Sequence, residues 1–243
     1  MRKLFAVFSL GCGRSLRALR LGVAAGVEHV RVLRNLGAVS VVVDIGANRG
    51  QFALAARHCF PTAHIVSFEP LPGPAAMFRR VFAGDSLVAL HEAAIGPVVG
   101  EATMHVSRLD DSSSLLPITA EQERVFPGTA EAGTSAVQTG PLEQFVASDE
   151  IDAPALLKLD VQGYELEALK GCESLLHLFE AVYCECSFIE LYAGQALAGE
   201  VVAWLRERRF DLAGVYNASY DRNGRAVQAD FLFERGGERA APS

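Results

Sequence analysis

Three apolar, strand-like runs of the sequence end on a carboxylate. The run VVVD ends at Asp44, IVSFE ends at Glu69, and LLKLD ends at Asp160. In open α/β sheets, ligands bind in the crevice outside the carboxyl ends of the strands. Carboxylates there would attract a cationic ligand, and an acid after the second strand suits a bidentate hold on a ribose diol. The pattern therefore predicts a site for a positively charged, nucleoside-like ligand.

The turn after Asp44 has the pattern D-x-G-x-x-x-G. Gly46 permits a tight turn, and Gly50 allows the next helix to pack closely or the backbone to approach a ligand. A dehydrogenase would carry G-x-G-x-x-G here, and this chain lacks that glycine pair for a pyrophosphate. The acids match S-adenosylmethionine, whose amino group and sulfonium are cationic and whose ribose would meet Glu69. S-adenosylmethionine is therefore the predicted cofactor.

Further ionisable residues lie near the same predicted edge. Asp160 should lie beside the transferable methyl group, and Lys158 shares its side of the strand, where it could pair with an acid. Glu185 stands between buried-looking residues, so its carboxylate must be paired or functional. Glu165 opens a helix, where a carboxylate either complements the helix N-terminus or takes part in the site.

Strand and helix patterns alternate from residue 39 onward. The alternation predicts parallel strands in a three-layer α/β sheet, and the Asn223-Gly224 turn predicts a closing hairpin with an antiparallel strand. Residues 108–136 show no clear period, which predicts a long loop over the acceptor; its serines, Ser112 to Ser114, either bind sugar hydroxyls or form turns. The predicted strands are 39–44, 64–69, 87–91, 103–107, 155–160, 181–188, 210–216 and 226–233, and the predicted helices are 15–36, 51–59, 73–82, 164–176 and 197–208.

The composition indicates a folded globular protein with an acidic body. Hydrophobic residues make up 50 % of the chain, charged residues 21 %, and the formal net charge is -7. Residues 1–35 carry a net charge of +6, which leaves -13 for the remainder and argues against nucleic acid as a partner. Five cysteines, an odd number, indicate a reducing compartment. Cys184 and Cys186 are expected to pack within a strand, with weak metal binding as the alternative.

The N-terminal region is predicted to be a helical extension over residues 1–38, followed by one catalytic domain over 39–243. The apolar run Leu4–Leu10 is at the lower limit for a signal sequence, and no run is long enough to span a membrane. A soluble cytoplasmic protein is therefore expected. The predicted helix 15–36 has an apolar stripe flanked by arginines, and it either packs on the domain or rests on an anionic membrane surface.

Several motifs, in this order, resemble the FkbM family of S-adenosylmethionine-dependent methyltransferases: VVVDIGANRGQFA, SFEPLP, SSSLLP, LLKLDVQGYELEALKG, ECSFIELYAGQ and GRAVQADFLFER. The resemblance extends from about Val39 to Arg235. It implies a Rossmann-like class I methyltransferase sheet of seven strands, and O-methylation of a hydroxyl on a small molecule, sugar, glycolipid or polyketide. The chain departs from the family pattern at Gln162, where many relatives have glutamate, and at Gly140–Glu143, where many have Thr-Leu-Asp.

The resemblance also implies roles for individual residues. The turn after Asp44 would hold the methionine part of the cofactor, Glu69 the ribose, and residues 91–93 the adenine, while Asp160 would lie beside the reacting methyl. No metal is expected. The candidates for a general base are, in order, Asp160, Glu185 and His91. The predicted cofactor-binding residues are Asp44, Gly46, Ala47, Asn48, Gly50, Glu69, Ala93 and Asp160.

Two other classes of protein stay open on the sequence. One is a nucleotide-dependent oxidoreductase on a similar sheet, against which the missing G-x-G-x-x-G speaks. The other is a binding module that has kept the fold without catalysis, against which the three strand-end acids speak. The sequence does not identify the acceptor, because substrate specificity depends on loops rather than on the fold.

Overall fold

The computed structural model describes residues 13–236, and the expectation about Leu4–Leu10 lies outside this range. Ten strands and seven α-helices make up this part of the chain, together with turns and short 3-10 helices. The strands are β1 Val41–Ile45, β2 His64–Phe68, β3 Val88–His91, β4 Ala94–Ile95, β5 Gly100–Ser107, β6 Glu131–Gly140, β7 Ala155–Leu159, β8 Ala181–Ser187, β9 Phe210–Tyr220 and β10 Ala226–Arg235. The helices are α1 Gly13–Arg20, α2 Val30–Asn35, α3 Gln51–Cys59, α4 Pro72–Val81, α5 Ala120–Val125, α6 Glu165–Gly171 and α7 Ala198–Glu207.

Seven strands form the main sheet, in the order β3-β2-β1-β7-β8-β10-β9. β10 runs antiparallel to β8 and β9, whereas the neighbouring pairs from β3 to β8 are parallel. The predicted α/β sheet with an antiparallel C-terminal strand is therefore confirmed. The chain order reverses between β1 and β7, and open α/β sheets bind ligands at such a switch point.

Helices cover both faces of this sheet, because successive side chains of a strand point to opposite faces. Val41, Val43 and Ile45 of β1 pack on one face with α6 and α7. Val42 packs on the other face with α3, α4 and the N-terminal segment. Asp44 has the same parity as Val42, so its carboxylate enters this second layer.

A second sheet of three strands, in the order β4-β6-β5, lies beside the main one. Met104 and Val137 of this sheet pack against Leu71 and Ala94. The sequence analysis misses β6 because its side chains, EAGTSAVQTG, are mostly exposed and lack an apolar alternation. The segment 108–136 is also more ordered than predicted, since it contains α5 and the start of β6.

The prediction of one continuous helix over 15–36 is wrong, because the helix is interrupted in the middle of that range. α1 ends before Gly22, which has a left-handed φ of +78°, and a 3-10 turn at Val27–His29 precedes α2. Ala18 and Leu33 are buried in the same core as α3, so the apolar side of this segment packs on the domain rather than on a membrane surface. Within the described part of the chain, no helix combines the length and apolarity needed to cross a bilayer.

Gly50 connects the turn after β1 to α3 and has a φ of +93°. A Cβ at this position would lie 2.6 Å from the Phe82 ring and 3.0 Å from the Phe78 ring. We predict that Gly50→Ala lowers the free energy of unfolding by about 2–4 kcal/mol, because the left-handed backbone and the crowded site both disfavour a methyl group. Urea denaturation measures the change.

Gly73→Ala is the matched control for this substitution. An added Cβ at Gly73 meets no atom within 4 Å, and the residue lies in the first turn of α4. Alanine there should leave the free energy of unfolding unchanged or raise it by up to about 1 kcal/mol. Equal losses in the two variants would contradict the packing explanation for Gly50.

Candidate active site

A cavity of about 450 Å³ opens at the carboxyl ends of β1, β2 and β7. Its walls also include the small sheet, the N-terminal segment around residue 29 and a covering segment, defined as residues 109–129. The volume lies in the usual range for small-molecule and cofactor sites. Six of the residues predicted for the site line this cavity: Gly46, Ala47, Asn48, Glu69, Ala93 and Asp160.

Glu69 links the turn after β1 to the segment after β2. Its Oε2 accepts a hydrogen bond from Asn48 N (2.9 Å), and its Oε1 accepts one from Leu71 N (2.8 Å). Burial raises the pKa of Glu69 to about 7, although both backbone donors oppose this shift. A carboxylate fixed in this way keeps further lone pairs for the cavity, which is the arrangement that a vicinal diol needs.

Gly46 brings the loop after β1 into contact with the loop after β7. Its φ is +81°, and a Cβ there would lie 1.8 Å from the backbone oxygen of Asp160. The amides of Gly46 and Ala47 both donate to Phe68 O, at 3.0 and 2.9 Å. The ends of β1, β2 and β7 are therefore in direct contact, and a side chain at position 46 would separate them.

Asp44 is wholly buried and does not line the cavity, contrary to the expectation that it faces the crevice. Lys158, its partner in the register of β1 and β7, places Nζ 3.1 Å from Asp44 Oδ1. This contact is an ion pair rather than a well-aligned hydrogen bond. The suggestion that Lys158 pairs with an acid is confirmed.

Lys158 also reaches the cavity rim. Its Nζ donates a hydrogen bond to Gly46 O (3.1 Å) and lies 3.8 Å from Asp160 Oδ2. Burial disfavours the ammonium form, but Asp44 and Asp160 outweigh this penalty and raise the pKa of Lys158. The buried Lys158 ammonium thus contacts the Asp44 carboxylate in the core, the Gly46 carbonyl in the turn and the Asp160 carboxylate at the cavity.

Gln162 joins two of the predicted acids. Its Nε2 donates to Asp160 Oδ1 (2.7 Å) and to Glu185 Oε2 (3.1 Å), and Gln228 Nε2 donates to the other oxygen of Glu185 (2.7 Å). A glutamate at position 162 could not donate these bonds. Glu185 is therefore paired, as expected for a buried carboxylate, and it does not line the cavity. Burial and then the nearby Asp160 carboxylate raise the pKa of Glu185 well above its usual value.

Glu165 organises the loop between β7 and α6. Its Oε1 accepts hydrogen bonds from Val161 N and Gly163 N, both at 3.1 Å, so it satisfies backbone donors at the start of α6. Burial raises the pKa of Glu165 to about 7. Tyr192 packs on the same loop: its ring lies 2.8 Å from where a Cβ of Gly163 would be, and its hydroxyl lies 2.8 Å from Gln162 Oε1. The loop is thereby fixed beside the cavity.

Two more predicted residues lie outside the cavity lining. His91 stacks on Phe68, with ring centroids 5.0 Å apart, and its ring also contacts Phe145. Burial lowers the pKa of His91, which fits a neutral packing residue. Gly50 serves the packing of α3 described above. Neither residue is placed to contact a ligand in this cavity.

The covering segment lies over the cavity, as predicted for a long loop at this position. Ser113 Oγ accepts a hydrogen bond from Ser107 N (3.1 Å), and Ser114 Oγ accepts one from Leu116 N (3.0 Å). Ser114 therefore supports a turn, which was one of the two alternatives, whereas Ser112 and Ser113 also line the cavity.

Part of the lining was missed by the sequence analysis. Gly26, Glu28 and His29 come from the N-terminal segment, and Asp110 and Asp111 come from the covering segment. The paired aspartates beside the serine run were a usable signal, whereas nothing in the local pattern places a histidine of the extension in the site. Across residues 13–236, no group of three or more His, Cys, Asp or Glu side chains is arranged to hold a metal ion.

A family model described as the methyltransferase FkbM domain matches residues 44–212, a range that includes all three strand-end acids. The chain belongs to this FkbM methyltransferase family. Membership confirms the predicted family and methyltransferase activity, and with them S-adenosylmethionine as the methyl donor. The oxidoreductase alternative is thereby set aside.

Individual methyltransferases are also similar to the chain. The 2-O-methyltransferase NoeI of Sinorhizobium fredii is 26 % identical over 191 residues, which cover 74 % of this chain and 79 % of NoeI. The hexuronic acid methyltransferase AglP of Haloferax volcanii is 28 % identical over 155 residues, which cover 63 % of this chain and 56 % of AglP. Magnesium protoporphyrin IX methyltransferase from Synechocystis PCC 6803 aligns with a TM-score of 0.48 at 12 % identity, over 85 % of this chain and 76 % of that structure.

The buried ion pair predicts a large effect for Lys158→Met. This change leaves the Asp44 carboxylate buried without its cation, which should lower the free energy of unfolding by about 3–5 kcal/mol in urea denaturation. The double variant Asp44→Asn/Lys158→Met should recover part of that loss, because no uncompensated charge remains.

Lys170→Met is the matched control, because Lys170 pairs with Glu167 at 2.6 Å on the exposed face of α6. Lys170→Met should lower the free energy of unfolding by less than about 0.5 kcal/mol. If both lysine variants lose the same small amount, or if the double variant is less stable than Lys158→Met, the ion pair does not organise the site.

Proposed function

We propose that the chain transfers a methyl group from S-adenosylmethionine to a hydroxyl of a neutral sugar or a similar small polar acceptor. One observation carries the proposal: a single cavity joins Glu69, whose carboxylate is fixed by two backbone amides, to a polar wall formed by Asp160 and Gln162. The relatives support the class of acceptor, since NoeI is named as a 2-O-methyltransferase and AglP as a hexuronic acid methyltransferase.

The lining of the cavity fits the cofactor on chemical grounds. Glu69 supplies carboxylate oxygens for the two ribose hydroxyls, and its backbone donors leave these oxygens fixed. Ile45, Phe68, Leu71 and Ala93 supply the apolar surface that an adenine ring needs on its faces. We assign the ribose to Glu69 and the adenine to the neighbouring apolar wall.

The bound cofactor supplies an electrophilic methyl group on a sulfonium. The chain would contribute mainly by holding the acceptor hydroxyl in near-attack geometry, which is worth up to about 7–11 kcal/mol of the barrier. Asp160 suits this positioning role, because its side chain is 35 % exposed and its carboxylate is fixed by Gln162 and Lys158. We assign Asp160 to an acceptor hydroxyl or to the cationic end of the cofactor.

The charges around the cavity favour a neutral or basic acceptor. Five acids, Glu28, Glu69, Asp110, Asp111 and Asp160, contribute to the lining, and of these Asp110 is paired with Arg49. The buried Lys158 is already balanced by acidic partners, so it offers little to an anion. A uronate carboxylate would meet this acidic wall and be repelled. We therefore infer an acceptor that differs in charge from the hexuronic acid for which AglP is named.

Methyl transfer from labelled S-adenosylmethionine tests the proposal. The protein is incubated with the isotopically labelled cofactor and a lipid and metabolite extract, and the products are identified by mass spectrometry. We expect label on an oxygen of a neutral hydroxyl compound, and clearly less label with Glu69→Gln protein at the same, subsaturating cofactor concentration. Label on a nitrogen would contradict O-methylation, and label on a uronate would contradict the charge argument. Cofactor binding without any labelled product would support the silent binding module instead.

The role of Glu69 predicts a pH-dependent affinity for S-adenosylhomocysteine. Because its pKa is raised to about 7, Glu69 is protonated below that pH and ionised above it, and the ionised form accepts both ribose hydroxyls. Calorimetry should show affinity that increases between pH 6 and pH 8. Glu69→Gln should bind at least about 10-fold more weakly at pH 8 and lose this dependence.

Glu101→Gln on the exposed surface of β5 is the matched control and should behave like the unaltered protein. Unchanged affinity and an unchanged pH profile in Glu69→Gln would remove Glu69 from the ribose site.

A further inference from the structure

His29 enters the cavity wall from the N-terminal segment. It follows Glu28 in the 3-10 turn before α2, and its side chain is 16 % exposed. The ring is held edge-on between Phe52 and Tyr183, with centroid distances of 5.3 and 5.6 Å. A histidine fixed by two aromatic rings at the edge of a ligand cavity has a defined orientation, so its two nitrogens have separate environments.

The Nδ1 side of His29 faces a polar cluster formed by Tyr183, Asp230 and Asn217. Tyr183 OH donates to Asp230 Oδ2 (2.9 Å), and Asn217 Nδ2 donates to the same oxygen (2.7 Å). His29 Nδ1 lies 3.1 Å from the Tyr183 oxygen and 3.5 Å from Asp230 Oδ2. Because the Tyr183 hydroxyl donates its proton to Asp230, its oxygen can take part in the contact with His29 only as an acceptor. The cluster therefore favours the tautomer with the proton on Nδ1.

That tautomer leaves the lone pair on Nε2 of the neutral ring. Among the described residues, no hydrogen-bond partner occupies Nε2. The neighbouring Gly26 keeps this edge of the ring clear: a Cβ at Gly26 would lie 2.8 Å from His29 Cδ2 and 3.4 Å from Nε2. Since both Gly26 and His29 line the cavity, an acceptor nitrogen is available at its wall.

The other candidate bases already have hydrogen-bond, ion-pair or packing partners. Both oxygens of Glu185 accept amide hydrogens, from Gln162 and Gln228, and the residue does not line the cavity. Asp160 Oδ1 accepts from Gln162 and Oδ2 faces the Lys158 ammonium, so both of its oxygens already have partners. His91 packs between aromatic rings away from the cavity.

We propose that His29 is the general base of the methyl transfer and that Asp230, with Tyr183, is the positioning residue that fixes its tautomer. The inference rests on the proposed O-methylation. In the step, Nε2 takes the proton of the acceptor hydroxyl as its oxygen forms a bond to the methyl carbon. The carbon–sulfur bond breaks, its electron pair goes to sulfur, and S-adenosylhomocysteine leaves. The proton on His29 is then released to solvent.

Several charged groups act on His29 and bear on the pH dependence. Asp230 and Tyr183 face Nδ1, and Glu28 adjoins His29 in the chain. Lys158 Nζ lies over the Phe52 ring, 5.3 Å from its centroid. Asp44 interacts with His29 through the same buried layer. Protonation of the ring in acid would remove its ability to accept a proton, so the reaction should slow toward acid pH.

Nitrogen-15 NMR of histidine-labelled protein tests the tautomer without any acceptor. The resonances of His29 are identified by their loss in His29→Gln. We expect a protonated Nδ1 and an unprotonated Nε2 at pH 8, and a shift away from this tautomer in Asp230→Asn. An Nε2–H tautomer in the unaltered protein would overturn the proposal.

Measurements of turnover and of cofactor binding are the second test. Turnover is measured with the acceptor that the extract experiment identifies. His29→Gln should bind S-adenosylhomocysteine with unchanged affinity, lower kcat by about 10²–10⁴-fold and lose the decline toward acid pH. Asp230→Asn should lower kcat by a smaller factor at unchanged affinity. His177→Gln, on the exposed surface, is the matched control. Full turnover in His29→Gln, or a loss confined to cofactor affinity, would overturn the role of base. If the unaltered protein labels no acceptor, the proposed O-methylation is wrong. The NMR measurement still tests the tautomer of His29 independently.

Discussion

The ion pair between Asp44 and Lys158 is the interaction on which the site depends. Two oppositely charged side chains are taken out of water on adjacent strands, and each would be costly to bury alone. Lys158 repays part of this cost by binding the Gly46 carbonyl and facing Asp160. Because Gly46 has no Cβ, the loops after β1 and β7 also touch through their backbones. The ion pair thus fixes the distance between the two loops that form the floor of the cavity.

The remaining walls come from parts of the chain that are distant in sequence. The N-terminal segment, the small sheet and the covering segment all close over the same strand ends. Methyl transfer benefits from this arrangement, because walls on several sides orient the acceptor and limit competition from water. The acids are held in different ways: Glu69 by backbone donors, Asp160 by an amide and a cation, and Glu185 by two amides. Each of the three carboxylates is therefore held in a fixed orientation.

Much of the fold follows from the sequence, because the alternation of strands and helices and the closing hairpin are local patterns. The same reasoning places Glu69 and Asp160 at the cavity, since both directly follow a strand. It fails for Asp44, which lies within β1, where strand parity turns its carboxylate toward the helices. β6 carries almost no apolar alternation, and the position of His29 depends on Tyr183 and Asp230, far along the chain. Such features arise from tertiary contacts that no local pattern encodes.

A crystal structure of the protein with S-adenosylhomocysteine tests the central claim most directly. The account predicts that the ribose hydroxyls bind Glu69, that the sulfur lies on the side of the cavity lined by Asp160 and His29, and that the Asp44 carboxylate pairs with Lys158 and does not contact the ligand. A ligand bound through Asp44 with Lys158 displaced, or a ribose away from Glu69, would contradict it.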